Sequence, residues 1–217
     1  MEKYVDREQA GSVLAQALSS YVNRPDLVVL ALPRGGVPVA FEVAQALHAP
    51  LDVFVVRKLG VPRYDELAMG AIAMDGTCVF NEDIIQDLSI STEDMANVIA
   101  KEKQELDRRV KAYRGDRPFP DLKNKHVILV DDGIATGATM QAAVNALMQY
   151  DPSAIVVAVP VADKNVCQRI ALSVDHLICP LTPDSLGAVG AWYEHFDQVE
   201  DAKVRELLQK VRELLQM

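Results

Sequence analysis

Residues 127–139 read V-I-L-V-D-D-G-I-A-T-G-A-T, an apolar run followed by two acids and a series of small residues. The first four, residues 127–130, are apolar and mostly β-branched, which is typical of a strand buried on both faces of a parallel sheet. Asp131 and Asp132 fall where that strand would end. Apolar residues then recur at helical spacing: Met140, Ala143, Val144, Leu147 and Met148. The stretch therefore predicts a strand, a tight loop and a helix.

A strand, a small-residue loop and a helix N-terminus form a geometry that binds phosphate. The first backbone N–H groups of the helix are unpaired, and its dipole favours an anion. A P-loop is excluded because Ala138, not lysine, follows Gly137, and the dinucleotide motif G-x-G-x-x-G is absent. The carboxylates of Asp131 and Asp132 would lie about one ribose away, where they can accept hydrogen bonds from pentose hydroxyls. The alternative is a plain strand-to-helix turn whose acids cap the helix.

This stretch resembles the phosphoribosyl diphosphate (PRPP) binding motif of the type I phosphoribosyltransferases. The resemblance implies that Asp131 and Asp132 hold the ribose hydroxyls. It also implies that the 5-phosphate binds to a loop of five residues: Ala135, Thr136, Gly137, Ala138 and Thr139. Family members that act on 6-oxopurines carry aspartate at the position of Ala135, placed to handle a proton on the purine. By resemblance, Ala135 argues against a 6-oxopurine substrate.

Composition and charge exclude several classes of function. The 217 residues carry a formal net charge of −9, and a chain without a basic block binds nucleic acid poorly, since phosphate neutralisation needs clustered Lys and Arg. No apolar run reaches the ~18 residues of a membrane span, and the N-terminus lacks the apolar core of a signal peptide. Cys78, Cys167 and Cys179 show no C-x-x-C spacing, which argues against zinc and disulfides. We expect a cytoplasmic protein without nucleic-acid or membrane partners.

A second loop of interest follows an apolar run at residues 27–32, which predicts another buried strand. Residues 33–38 read P-R-G-G-V-P. The adjacent Gly35 and Gly36 let a ligand approach the backbone closely, and the guanidinium of Arg34 suits phosphate. The alternative is an ordinary strand-to-helix connection. In the resembled family a short loop at this place binds the pyrophosphate arm of PRPP, which would assign that role to Arg34, Gly35 and Gly36.

Residues 57–67 are charged, contain Gly and Pro, and show no periodicity, so they predict a long irregular loop. Loops of this kind are commonly lids over active sites, and the resemblance implies the same here. The candidate lid residues are Arg57, Lys58, Arg63 and Tyr64. The dipeptide Asp75-Gly76 between two apolar runs predicts a hairpin that carries the lid. The alternative is a solvated surface loop, which competes most strongly for Arg63.

Residues 179–196 are irregular and hold three aromatic residues, Trp192, Tyr193 and Phe196. The resembled enzymes have a variable hood that selects the base, and Trp192 and Tyr193 are candidates for stacking on it. The alternative is that Trp192 and Phe196 fill the core under the last helix. Residues 203–209 and 210–216 both read K-V-R-E-L-L-Q, and their apolar stripe is expected to pack on the body or on a second subunit. We expect a homodimer.

Helices alternate with strands along the chain, which predicts an α/β fold with a mostly parallel twisted sheet flanked by helices. With its hairpin-borne flexible loop and hood, this is the type I phosphoribosyltransferase fold that the resemblance implies. We expect one domain over residues 1–217. Its core would span about 27–180, its lid and hairpin about 57–80, and its hood and C-terminal helix about 179–217.

The resemblance implies a pentosyltransferase that moves phosphoribose from PRPP to a nitrogenous base or related acceptor and releases pyrophosphate. The cofactor would be Mg²⁺, held mainly through PRPP and near the two acids. The candidate catalytic residues are Asp131, Asp132, Arg34 and Lys58. A non-catalytic PRPP or nucleotide sensor stays open as an alternative. So does PRPP synthesis, although the chain carries no recognisable ATP site. The sequence does not identify the acceptor.

Overall fold

The computed structural model describes residues 3–215, without the side chains of residues 65 and 66, so the expected domain end at 217 and the last residue of the heptad repeat lie outside the described residues. A five-stranded parallel sheet forms the body. Its strands are β1 (Leu27–Ala31), β2 (Leu51–Val53), β6 (His126–Val130), β7 (Ala154–Ala158) and β8 (His176–Ile178). Their order is β2-β1-β6-β7-β8. The mostly parallel α/β architecture predicted from the sequence is confirmed.

The order in which strands are added to the sheet reverses between β1 and β6. These strands pair in parallel, with Ala31 beside Val130, so both end at the same level. β2 extends the sheet on one side and β7 on the other. The helix after β1, α2 (Gly36–Leu47), packs on one face, and the helix after β6, α5 (Ala138–Leu147), packs on the opposite face. In open α/β sheets the crevice at such a switch point binds ligands, so the fold places both candidate loops there.

A separate three-stranded antiparallel sheet corrects the prediction for the lid. β3 (Val56–Val61) pairs with β4 (Tyr64–Ala73), which pairs with β5 (Cys78–Phe80). Residues 57–67 are therefore a β-hairpin and not an irregular loop. The hairpin forms because Leu59 and Val61 alternate into the core while their neighbours stay half-exposed. Arg63, with φ +70°, lies in the turn. The predicted Asp75-Gly76 turn joins β4 and β5, with Gly76 at φ +87°.

Four further helices flank the two sheets: α1 (Arg7–Ala17), α3 (Glu82–Asp87), α4 (Thr92–Arg114) and α6 (Lys164–Ala171). α4 begins directly after a helix cap, since the Ser91 hydroxyl accepts a hydrogen bond from the Asp94 amide at 3.0 Å. None of the helices within residues 3–215 is both long and apolar enough to cross a bilayer.

The C-terminal helix, α7 (Asp201–Leu215), packs on the body of the same chain. Its apolar stripe is buried in the core cluster that also contains α2, through four residues: Val204, Leu207, Leu208 and Val211. Leu214 and Leu215, at the end of the stripe, are exposed. The sequence left open whether this stripe packs on the body or on a second subunit. Most of the stripe packs on the body.

The hood is built from both ends of the chain. Tyr4 forms a parallel β-bridge with Tyr193, and the amides of Glu194 and His195 donate to the carbonyls of Tyr4 and Val5. A small apolar cluster fills the space beneath, with Leu186 and Val161 buried in it. The N-terminal segment, which in the sequence is only the approach to a helix, is thus part of the hood.

Candidate active site

The loops after β1 and β6 touch each other at the switch point. A Cβ added to Gly35 would collide with the carboxylate of Asp132, and one added to Gly36 would lie 2.8 Å from the Val130 carbonyl oxygen. Only glycine fits at both positions, because the Pro33–Gly36 backbone lies directly against the acid pair. The peptide bond between Pro33 and Arg34 is cis. The predicted pyrophosphate loop and the predicted ribose acids therefore line one crevice.

The two carboxylates are half-buried and differ in their contacts. Asp131 Oδ1 accepts a hydrogen bond from the Asp132 amide at 2.8 Å. Asp132 Oδ2 accepts one from Arg7 Nε at 2.9 Å. Burial, reinforced by the charge of Asp132, raises the pKa of Asp131 well above its usual value. Burial also raises the pKa of Asp132, although Arg7 opposes the rise. Because two adjacent negative charges are unfavourable here, the site favours ligands that supply hydroxyl donors or a cation.

The loop of residues 135–139 has the geometry of an anion cradle. Gly137 takes φ +82°, a left-handed conformation that favours glycine, and α5 begins at the next residue. The N-cap residue of α5, Gly137, has no side chain that could cap the helix, so the first amides of α5 face the loop. Arg169 Nη2 donates to the Thr136 carbonyl at 2.8 Å and fixes the loop from outside. The exposed hydroxyls of Thr136 and Thr139 lie at this helix terminus.

Replacing Thr136 or Thr139 by valine is expected to weaken ribose 5-phosphate binding about tenfold, the effect of losing one hydrogen bond to a charged group. Stability should change by less than the ~1 kcal/mol of a true helix cap, because Thr136 Oγ1 accepts from the Ala138 amide over a long distance, 3.4 Å. Calorimetry with ribose 5-phosphate measures the first effect and thermal melting the second. Free ribose serves as the control ligand and should bind the variants and the wild type alike. Unchanged ribose 5-phosphate affinity in both variants would place the phosphate elsewhere.

The candidate cations of the crevice are held by acids on the neighbouring helices. Arg34 Nη1 lies 3.6 Å from Asp201 Oδ1 at the start of α7. Arg57 Nη2 lies 2.6 Å from Glu102 Oε2 on α4, so Arg57 is paired with this helix. Lys58 follows Arg57 on β3. An arriving pyrophosphate would have to compete with Asp201 and Glu102 for these arginines.

The remaining lid residues, Arg63 and Tyr64, lie at the turn between β3 and β4. The side chain of Tyr64 is 59% exposed. The structure thus places the four predicted lid residues along one hairpin, with Arg57 and Lys58 on β3 and Arg63 and Tyr64 at its tip.

Replacing Glu102 by glutamine is expected to tighten PRPP binding severalfold. The substitution removes the charge that competes for Arg57, and a half-exposed ion pair of this kind is worth ~1 kcal/mol at most. Ribose 5-phosphate, which has no pyrophosphate, should bind the variant and the wild type equally. Titration of both ligands against both proteins makes the comparison. A variant that binds PRPP as the wild type does would show that Arg57 takes no part in pyrophosphate binding.

The hood aromatics are placed differently from the stacking expectation. Tyr193 is only 4% exposed, its hydroxyl donates to the backbone carbonyl of Asp132, and its ring packs between Tyr4 and Phe196 at centroid distances of 5.7 and 4.9 Å. Its faces are therefore covered, and Tyr193 supports the acid pair from below instead of stacking on a base. Trp192 is half-buried and donates from Nε1 to the Leu186 carbonyl at 2.9 Å. Trp192 and Phe196 pack in the hood cluster and not under α7.

Sequence reasoning missed Arg7, the cation nearest to the acid pair. Arg7 follows Asp6, which caps α1 by accepting a hydrogen bond from the Gln9 amide at 2.8 Å, and the sequence assigned Arg7 no role. No local pattern links Arg7 to Asp132, which is 125 positions away. Asp201 and Glu102, the partners of Arg34 and Arg57, were missed for the same reason.

The acid pair suits a metal that the ligand brings with it. Among the described residues, no three His, Cys, Asp or Glu side chains cluster closely enough to hold an ion alone. Mg²⁺ is usually bound by one or two carboxylates together with substrate phosphates, and Asp131 and Asp132 fit that donor set.

Comparison with known proteins adds independent evidence. Residues 71–181 match the family model for the phosphoribosyl transferase domain. The putative phosphoribosyl transferase Rv0571c of Mycobacterium tuberculosis is 43% identical over 210 residues, which cover 97% of this chain and 47% of that protein, so the chain spans about half the length of this relative. The bifunctional protein PyrR of Ralstonia nicotianae is 28% identical over 144 residues, covering 61% of this chain and 82% of that protein. The crystal structure of TT1426 from Thermus thermophilus superposes with a TM-score of 0.88 at 38% identity, covering 96% of this chain and 98% of that one.

Proposed function

The chain belongs to the phosphoribosyl transferase domain family, and from this premise we propose that it transfers phosphoribose from PRPP to a nitrogenous base or related acceptor and releases pyrophosphate. One observation supports this above all others. An acid pair, a helix N-terminus in a small-residue loop and a glycine-lined loop meet at the switch point of the sheet. These three parts match the ribose hydroxyls, the 5-phosphate and the pyrophosphate of a single ligand.

In the proposed reaction the bond between the ribose C1 and the pyrophosphate oxygen breaks, and its electron pair leaves with pyrophosphate. The lone pair of an acceptor nitrogen forms the new bond to C1, and the proton that this nitrogen loses passes to solvent. The side chain of Arg34 and the backbone amides of Arg34 and Gly35 would stabilise the negative charge of the leaving group, whereas the Gly36 amide already donates to the Leu32 carbonyl. Asp131 and Asp132 would hold the ribose hydroxyls, so that C1 is presented to the acceptor in a fixed orientation. Lys58, on the lid hairpin, would add positive charge once the hairpin closes.

Mg²⁺ bound through PRPP, near Asp131 and Asp132, would neutralise pyrophosphate charge. The proposal specifies the acceptor only as a nitrogen nucleophile. Ala135 lines the hood cluster and carries no group that could exchange a proton with a purine, which favours acceptors other than 6-oxopurines. We also propose that the protein is located in the reducing cytoplasm and forms a homodimer.

The test is release of pyrophosphate from PRPP in the presence of Mg²⁺ and a panel of purine, pyrimidine and other nitrogen acceptors. We expect release with at least one acceptor, and none with the Asp131→Asn, Asp132→Asn double variant. Binding of PRPP without turnover across the panel would instead support the sensor alternative. Filter binding to RNA and DNA then separates that case further, since a sensor that controls gene expression should bind one of them in a salt-dependent manner.

A further inference from the structure

Arg7 makes three distinct contacts from a nearly buried position. Its side chain is 12% exposed, and Nε donates to Asp132 Oδ2 at 2.9 Å. Nη1 donates to the Asp197 carbonyl at 2.8 Å. The guanidinium carbon lies 3.8 Å from the centre of the Phe196 ring, within the range of a cation–π contact. The planar guanidinium is therefore fixed by the hood on two sides, and its third contact goes to an acid of the crevice.

The hood also holds the backbone of the same acid. The Tyr193 hydroxyl donates to the Asp132 carbonyl, and Tyr193 itself is bridged to Tyr4, three residues before Arg7. Asp132 also meets Gly35, where an added Cβ would collide with Oδ2, the oxygen that Arg7 binds. The carboxylate is thus in contact with both a cation and the Pro33–Gly36 backbone. A side chain fixed in this manner has lost its rotamer freedom before any ligand arrives.

We propose that Arg7 is a positioning residue that orients the Asp132 carboxylate for the ribose hydroxyls. This inference rests on the proposed function, because it takes the crevice to be a ribose site. Arg7 donates to Oδ2 of Asp132. The second oxygen, Oδ1, is held in place by the same contact and can accept a hydrogen bond from a ribose hydroxyl. Arginine suits the role better than lysine, since its fork reaches Asp132 and Asp197 at once while its face covers Phe196.

The same geometry has two competing interpretations that give different results. If Arg7 blocks Asp132 as an inhibitory contact, its removal should tighten ribose binding. If Arg7 only ties the hood together, its removal should weaken the whole site, including the phosphate loop. If Arg7 orients one carboxylate, its removal should weaken the binding only of ligands that carry ribose hydroxyls.

The test uses Arg7→Met and Arg7→Lys with two probes, ribose 5-phosphate and inorganic phosphate, titrated by calorimetry or by NMR. Arg7→Met should weaken ribose 5-phosphate binding about tenfold and leave phosphate binding within twofold. Arg7→Lys should recover part of the loss, and it keeps the test open if the methionine variant does not fold. The matched control is Arg24→Met, which removes an arginine paired to Asp26 at 2.7 Å at the opposite end of the sheet, and it should bind both probes normally.

Three results would overturn the inference: equal ribose 5-phosphate affinity in Arg7→Met and wild type, tighter binding in the variant, or an equal loss for both probes. Each leaves the proposed function standing if the wild type prefers ribose 5-phosphate to phosphate. A wild type that binds the two probes equally would contradict the ribose site itself, and with it both the proposed function and this inference.

Discussion

Replacing Asp131 and Asp132 together by asparagine is expected to reduce PRPP affinity by more than about a hundredfold. Each carboxylate that accepts a hydroxyl hydrogen bond contributes ~1.5–3 kcal/mol, so the loss of two exceeds the ~2.7 kcal/mol that a hundredfold change requires. Both residues lie at the end of β6, outside the core, so the fold should persist. Calorimetric titration with PRPP and Mg²⁺ measures the affinity, and circular dichroism confirms the fold. Wild-type affinity in the double variant would refute the assignment of these acids.

The same variant is expected to be more stable than the wild type near neutral pH in the absence of ligand. Burial and mutual repulsion raise the pKa of Asp131 well above its usual value, and burial raises that of Asp132. In the window above the unfolded pKa of ~3.9, the native state therefore binds more protons than the unfolded state. Wild-type stability falls as pH rises through that window, whereas the asparagine variant has no such loss. Thermal melts from pH 3 to pH 8 should show the two curves meeting at low pH and separating as pH rises.

Loss of the Arg7–Asp132 ion pair opposes this gain, although the amide oxygen of the substituted asparagine would still accept the Arg7 hydrogen bond. A variant that is less stable than the wild type at every pH would mean that the ion pair outweighs the cost of holding two charges together. In that case Arg7 contributes more to the stability of the hood than the carboxylate repulsion removes.

The second large effect is expected from Gly36→Ala. A Cβ at this position would lie 2.8 Å from the Val130 carbonyl oxygen and 2.9 Å from the Asp131 Cα, and neither backbone atom can move without shifting β6. Overpacking of this kind costs ~1–3 kcal/mol of stability. Displacing the two loops by about an ångström would also misalign pyrophosphate with ribose, which can cost ~100-fold in catalysis. We expect PRPP affinity and pyrophosphate release both to fall at least tenfold.

Gly115→Ala is the matched control for this experiment. Gly115 has φ +60° at the end of α4, and nothing lies within 4 Å of an added Cβ, so the substitution adds backbone strain without a collision. Because its ψ of −136° lies outside the left-handed helical region, in a conformation that alanine rarely adopts, the substitution should cost ~1–3 kcal/mol of stability and leave PRPP binding intact. If both variants lost the same stability and neither lost PRPP affinity, the contact between the two loops would have no part in ligand binding.

The sequence predicted those parts of the molecule whose pattern is local. The buried strand and small-residue loop of residues 127–139 indicate their own structure, because a continuous apolar run and a glycine-containing turn leave few alternatives. The Asp75-Gly76 turn is predicted for the same reason. Its hydrogen-bond partners lie within a few residues, so turn chemistry suffices.

The contacts between site residues and distant segments of the chain could not be predicted from local patterns. Arg57 was assigned to the lid cations because it follows a strand, yet its charge is taken up by Glu102, 45 positions away. The hairpin β3–β4 escaped detection because only Leu59 and Val61 alternate clearly, while Arg57, Lys58 and Gly60 obscure the pattern. Tyr193 was assigned by residue type to a base, and only the fold shows that its ring is covered by other aromatic rings of the hood. Pairings between distant segments depend on tertiary structure, which no sequence window contains.

A crystal structure of the protein with PRPP and Mg²⁺ tests the central claim most directly. We expect the 5-phosphate on the amides and hydroxyls of residues 135–139, the ribose hydroxyls on Asp131 and Asp132, and the pyrophosphate against Arg34, Gly35 and Gly36. PRPP bound at any other place, with these three groups of residues unchanged from the free protein, would contradict it.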